Sequence, residues 1–273
     1  MGGGYGDPAW IDEQLTIAHP VDVGVGLITW ALEQHPNTLP GLLRRGTSPI
    51  WLSFGDPSPY VEPIHHAGST VIAQVNGVAE AVAAVAAGAD VIVAQGSEAG
   101  GHGVDRPSLS ALLPDVIEAA APVPVLAAGG IGTGRQLAEL WRAGAAGAAL
   151  GTVLYASHEA LDTPAAKQLL VERTAADTAR HRTFDILRGP EWPSAYTGRS
   201  LMNETVRRWA HQDEQLRRPD VLAAERATYR RAVEADDLGR RVVWAGTSVD
   251  HVDDVQPAAT IIHRIMDEAS HDR

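Results

Sequence analysis

The chain has 273 residues, 45% of them hydrophobic, enough apolar material for one large α/β domain or a domain with an appendage. Its formal charge of -12 and pI near 5.3 set the surface against a polyanion, so nucleic acid is not an expected partner. It contains no cysteine, which excludes disulfides, thiolate metal sites and a thiol nucleophile and fits a cytoplasmic setting; redox chemistry would have to come from a cofactor.

The opening stretch from Met1 to Pro8 has neither a basic nor an apolar export signal, and Gly6 stands where a myristoylation signal wants Ser or Thr. Aliphatic runs then follow at 21–28, 50–54, 70–75, 90–94, 123–127 and 147–150. They are rich in Val and Ile and apolar on both faces, as parallel strands covered on two sides are. None approaches the roughly 20 residues needed to cross a bilayer, so no membrane association is expected.

Between these runs lie helical patterns. Residues 78–87 put Val78, Ala81, Val82 and Val85 on one stripe and stop at Gly88; residues 136–143 carry Leu137, Leu140 and Trp141 and stop at Gly144. The repeated order of strand, helix and glycine at Gly68, Gly88 and Gly144 is βαβ grammar, which closes into a barrel or spreads into a doubly wound sheet. Beyond Ser157 the pattern changes to helices at 164–173, 202–215, 220–235 and 257–268, with strand signal only at Arg240–Trp244. An irregular stretch around Pro190, Trp192, Pro193, Tyr196 and Gly198 precedes them in part. The chain therefore divides into residues 1–160, a (β/α) portion, and residues 161–273, a mostly helical portion packed on it.

Three glycine-rich segments directly follow expected strands: Gln95–Gly103 (QGSEAGGHG), Ala128–Gly134 (AGGIGTG) and Leu150–Thr152 (LGT). In a (β/α) barrel all three point to one face, and successive turns of this kind often hold a phosphate through backbone N–H groups. A single glycine pair is more often an ordinary tight turn, but two in succession favour a ligand. The dinucleotide spacing G-x-G-x-x-G fails, because from Gly130 it requires glycine at Arg135, and no Walker segment, H-E-x-x-H motif or metal site occurs.

His102 stands apart from the other histidines because glycines flank it on a loop after a strand, where a flat ligand can approach the backbone. His19, His35, His65, His66, His158, His181, His211, His251 and His263 are read as surface or hydrogen-bonded structural groups. Glu98 could orient His102, although a backbone-bonded or solvated glutamate is the more ordinary reading. Asp105 and Arg106 read as surface charges. Trp192, Tyr196 and Trp244 either wall the substrate side or pack the helical portion, the second being simpler.

The combination AQGSEAGGHG, PVLAAGGIGTG and LGT resembles the signature set of the nitronate monooxygenases, formerly called 2-nitropropane dioxygenases. The segments GGGYGDPAW, SFGDP, FDILRG and WPSAYTGRSLMN extend the resemblance over nearly the whole chain. It implies an α/β fold, a TIM-type (β/α)8 barrel expected here to lack its first strand or strands, with residues 1–160 binding non-covalent FMN. Gly129, Gly130, Gly151 and Thr152 would hold its phosphate, while Gln74, Gly100 and Gly101 would approach the flavin. His102 matches the family's catalytic histidine. The implied reaction oxidises an alkyl nitronate with O2 to a carbonyl compound and nitrite, with a nitronate or nitroalkane and O2 as small-molecule partners and a homo-oligomer as the assembly. Trp244–Asp250 (WAGTSVD) is similar to the family's substrate-side loop, except that Asp250 and His251 stand where glycine and an aliphatic residue are expected.

Other readings use the same loops. A flavin-dependent NAD(P)H reductase of quinones or enoyl thioesters shares the fold and a similar Glu-Ala-Gly-Gly-His segment. An inert flavin-binding homologue would keep the cofactor without turnover. A sugar-phosphate isomerase would need a lysine or a carboxylate pair, and Lys167, the only lysine, lies beyond the last expected strand.

Overall fold

The computed structural model describes residues 1–272. It divides into two compact units: Met1–Gln95 with Ser110–Ala127 and Gly144–Gly147, and Gly96–Leu109 with Ala128–Ala143 and Ala148–Arg273.

The first unit opens with α1 (Pro8–Ala18), capped by the Asp7 carboxylate on the Ala9 N–H at 2.9 Å. Then strands and helices alternate: β1 (Val25–Ile28), α2 (Thr38–Arg44), β2 (Ile50–Ser53), α3 (Ser58–His66), β3 (Val71–Val75), α4 (Val78–Ala87) and β4 (Val91–Gln95). After β5 (Gly101–Gly103) come α5 (Leu109–Ala120), β6 (Val125–Ala128), α6 (Gly134–Arg142) and β7 (Gly147–Ala149). Strands β1, β2, β3, β4, β6 and β7 form one six-stranded sheet in that order, and Val25 faces Ile50 while Ile50 faces Val71 in parallel register. Each falls inside or within one residue of an aliphatic run, because a strand covered by helices must be apolar at successive positions.

Alternation reappears on closer view. Val25, Leu27, Ile50, Leu52, Val71 and Ala73 are buried, whereas Gly26, Ile28, Trp51 and Ile72 are half-buried, and β1 to β3 line, together with Met1–Gly4 at its border, a groove of ≈ 660 Å³. Along that border Gly2 bridges Gly26 in parallel sense, and the Gly26 N–H donates to the Met1 carbonyl at 2.8 Å. The helix α4 corrects one expectation: Ala81 and Ala84 are its buried residues, while Val78 and Val82 are 37% and 51% exposed. Alanine lets the helix approach the sheet more closely than the valine stripe would. Gly88 does end it, at φ +100.

The second unit continues through α7 (Thr152–Tyr155), α8 (Pro164–Val171), β8 (Thr178–His181), α9 (Thr183–Arg188), β9 (Thr197–Leu201), α10 (Glu204–Trp209), α11 (Asp213–Leu216), α12 (Pro219–Glu234) and α13 (Ala258–His271). It is mostly helical, but β5, β9 and β8 form an antiparallel sheet that the sequence did not announce. Arg240–Trp244, expected as a strand, contributes one bridge, Ser200 to Trp244. The helix expected over 202–215 is broken, because His211 takes φ +67 between α10 and α11. Two apolar clusters hold the unit. One gathers Leu170, Val249, Ile261 and Ile265 with α6; the other gathers Phe184, Trp209, Leu216 and Tyr229. Among the described residues no helix is long and apolar enough to cross a membrane.

Candidate active site

His102 is the centre of β5 and pairs with Gly198 of β9. Because Gly198 lacks a side chain, the Trp244 ring occupies the place a Cβ would take, 2.5 Å from it, and comes within 5.2 Å of the imidazole between ring centres. Trp192 lies parallel to His102 at 3.5 Å with 5° between planes, and Tyr196 meets Trp192 edge-on. Trp192 and Trp244 thus flank the histidine, Tyr196 packs on Trp192 behind it, and the His102 side chain is left only 11% exposed.

Asp185 supplies the remaining wall. Its Oδ1 is 2.7 Å from His102 Nε2, and the carboxylate is 4% exposed. The short helix α9 carries it, flanked by the buried Phe184, Ile186 and Leu187 that anchor the helix. Sequence reasoning missed Asp185, although it sits inside the FDILRG segment; nothing local distinguishes it from a surface acid. Beside it His181 is buried, bonded through Nε2 to Ser200 Oγ at 3.0 Å, and burial pulls its pKa down to about 4 against the attraction of Asp185.

The loop before His102 is held by backbone capture. Arg180 directs Nε at the Ser97 carbonyl at 3.1 Å and Nη2 at the Ala99 carbonyl at 2.8 Å, while Nη1 reaches the Thr197 carbonyl at 2.9 Å. Its pKa falls to about 10, first from burial and then from the neighbouring Arg199. Glu98 does not touch the imidazole; its carboxylate accepts the Leu109 N–H at 2.9 Å, the ordinary role weighed for it.

The three glycine segments meet on one short stretch, Ala245–Gly246–Thr247, inside the WAGTSVD segment that the resemblance assigns to the substrate side. An added Cβ at Gly100 would stand 2.5 Å from Gly246 N, and one at Gly130 would stand 2.8 Å from Thr247 Oγ1. The Gly246 N–H donates to Thr152 Oγ1 at 2.9 Å, and the Thr247 N–H donates to the Glu98 carbonyl at 2.9 Å. Gly100, Gly130 and Thr152 therefore each abut the same three-residue stretch. At Gly129 and Gly130, with φ +112 and +74, the Cβ side is filled by protein, whereas at Gly101 and Gly151 it holds no atom within 4 Å. Gln74 belongs to the first unit, where Ser53 Oγ reaches its Oε1 at 3.4 Å and its buried Nε2 has no hydrogen-bond partner. Asp250 turns to the Ala175 N–H at 2.6 Å, and His251 packs on Gly132. Among the described residues no cluster suited to a metal occurs.

A family model for nitronate monooxygenase matches residues 40–268, most of the chain. The chain belongs to the nitronate monooxygenase family. It is 30% identical over 275 residues to a nitronate monooxygenase of Neurospora crassa, covering 90% of this chain and 71% of that protein. Similarity to the nitronate monooxygenase npaC of Metarhizium robertsii is 35% identity over 207 residues, covering 72% of this chain and 57% of the relative. A probable nitronate monooxygenase of Bacillus subtilis is 28% identical, and the match spans 61% of its length. Among solved structures, a nitroalkane oxidase from Streptomyces ansochromogenes superposes with TM-score 0.83 at 25% identity, covering 100% of this chain and 88% of that one. FabK from Thermotoga maritima gives 0.82 at 25% identity, covering 98% and 83%. The family's fold class, α/β of the TIM-barrel type, agrees with the parallel sheet and its intervening helices.

Proposed function

We propose that this member of the family is an oxidoreductase that binds FMN non-covalently and oxidises alkyl nitronates with O2 to carbonyl compounds and nitrite. The observation carrying the reading is His102, fixed by Asp185 and walled by Trp192 and Trp244, on the strand β5 whose preceding loop is joined through one backbone stretch to the two phosphate-type turns. FMN, when bound, would accept electrons from the nitronate and deliver them to O2.

The residues fit such a group. The Cβ sides of Gly101 and Gly151 are open, so neither position obstructs a ligand that approaches its backbone. Gly129, Gly130 and Thr152 would add backbone N–H groups from adjoining turns, and Gly100 keeps the loop close. For Gln74 the support comes from the first unit alone: a buried amide donor that lacks an acceptor. In this reading residues 1–160 grip the cofactor, and residues 161–273 supply Asp185, Trp192 and Trp244. The partners are a nitronate or nitroalkane and O2, the setting is the cytoplasm and the assembly a homo-oligomer.

His102 does the work assigned to this chain. In its protonated form, paired with Asp185 and lying on the Trp192 face, the ring orients an anionic nitronate; in its neutral form it accepts the α-proton of a nitroalkane. The aromatic walls exclude water from that exchange.

A visible absorption scan of purified protein followed by anaerobic mixing with propyl nitronate tests both halves. We expect a flavin spectrum that bleaches, nitrite release in air, and a His102→Asn variant that keeps flavin while kcat/KM drops about 10²–10⁴-fold. Colourless protein that does not take up FMN overturns the cofactor. NADH-driven quinone reduction without nitrite release would replace the reaction by the reductase.

A further inference from the structure

Two arginines of the second unit stand opposite each other. Arg180 in β8 and Arg199 in β9 are direct partners across the antiparallel sheet, a placement in which like charges repel. The acceptors their guanidiniums meet are neutral oxygens. Arg180 directs Nε at the Ser97 carbonyl at 3.1 Å, Nη2 at the Ala99 carbonyl at 2.8 Å, and Nη1 at the Thr197 and Gly101 carbonyls at 2.9 and 3.4 Å. Arg199 directs Nε at the same Ser97 carbonyl at 3.2 Å and Nη1 at Thr178 Oγ1 at 3.1 Å. Asp105 and Glu98 act on both charges only at longer range. A half-buried pair of cations that works against its own sheet points to a task outside the sheet.

That task is the loop. Residues 96–103 read GSEAGGHG, and a segment this rich in glycine has many backbone conformations open to it, so it does not hold one by itself. Arg180 gathers the alternate carbonyls of Ser97, Ala99 and Gly101 in one fork, stops one residue short of His102, and ties them to the Thr197 carbonyl of β9. A guanidinium presents its donors in a fixed plane. An ammonium is a compact charge on a flexible stem and does not reproduce that fork.

We propose that Arg180 is a positioning residue for the reaction: by clamping residues 97–101 to β9 it fixes where the His102 imidazole stands relative to substrate, and Arg199 holds the first carbonyl of the same loop. The proposal rests on the reading of His102 as the group that meets the nitronate. It is separate from the part played by Asp185, which holds the Nε2 edge of the ring. Arg180 holds the backbone that carries the ring.

Arg180→Lys keeps the charge and removes the fork, which makes it the deciding variant. We expect it to fold, to retain flavin, and to lower kcat for propyl nitronate about tenfold or more with KM changed by less than about threefold, because a displaced imidazole weakens the transition state rather than binding. A side chain that merely supported the fold would lower Tm and leave kcat per bound flavin at the parental value. Hydrogen exchange read by mass spectrometry should quicken about tenfold or more in peptides over 97–103 and stay unchanged in those over α12, Pro219–Glu234. Arg135→Ala, an exposed arginine on α6, should change neither measurement. If circular dichroism melts show the lysine variant to be unfolded, Arg199→Lys, which leaves the Arg180 fork in place, gives the same comparison with a smaller change in the same direction. A folded, flavin-loaded variant with parental kcat, or with parental exchange over 97–103, overturns the proposal. Parent protein that releases no nitrite overturns the nitronate reading instead, and the same kcat and exchange comparison is then read with NADH and a quinone.

Discussion

Asp185 reaches His102 from 83 positions away along the chain, and its effect on the ring comes from burial as much as from distance. A carboxylate at 4% exposure interacts through a low-dielectric path, so it holds the Nε2 edge of the imidazole toward itself. Asp185→Asn, nearly isosteric but uncharged, should lower kcat/KM for a nitronate by about 10²-fold while flavin content and KM change little. Stopped-flow reduction of the loaded variant checks this, and turnover within threefold of the parent would remove the positioning role. His181 gives a second expectation. The folded protein holds its pKa at about 4 rather than 6.5, chiefly by burial, so the unfolded chain takes up the proton first as pH falls. Stability from this residue is present above the unfolded value and is lost between about pH 6.5 and 4, on the order of 3 kcal/mol at ~1.4 kcal/mol per unit. His181→Gln should flatten the acid limb of a plot of Tm against pH; an unchanged limb would show that other groups set it. At this scale His102 was legible, because glycine neighbours on a loop after a strand are a local signal. Asp185 was not, since a single acid among apolar residues carries no mark of its partner.

Ala245–Gly246–Thr247 shows the same limit one level up. As sequence it is a piece of WAGTSVD; in the fold it spaces all three glycine loops. A Cβ at Gly246 would lie 2.4 Å from Gly100 N and 2.5 Å from the Glu98 carbonyl oxygen, both backbone atoms that cannot swing aside. Gly246→Ala should therefore cost about 2 kcal/mol or more and strip flavin from the protein, read from thermal melts and from absorbance after gel filtration. A variant with parental Tm and full flavin would mean that the loops adjust freely. The antiparallel sheet of β5, β9 and β8 escaped sequence reading for a related reason. Its strands are three to five residues long, and GHG has no strand propensity of its own. Arg180 and Arg199 both point at the Ser97 carbonyl from β8 and β9.

Over the whole molecule, the parallel strands were readable to within a few residues because both faces of such strands must be apolar, a demand written into consecutive positions. Helix ends at Gly88 and Gly144 were readable too, since their φ values of +100 and +95 favour glycine. Composition excluded thiol chemistry, and the joined motifs pointed to the family that the comparisons then showed. The sequence by itself thus determined the strand-and-helix order, the glycine turns and the histidine among them, all properties of neighbouring residues. Only the tertiary structure decided which acid meets that histidine, which indoles enclose it, and which arginines grip the loop before it. Those depend on contacts between distant segments, where burial and close approach, absent from any local pattern, set the energy.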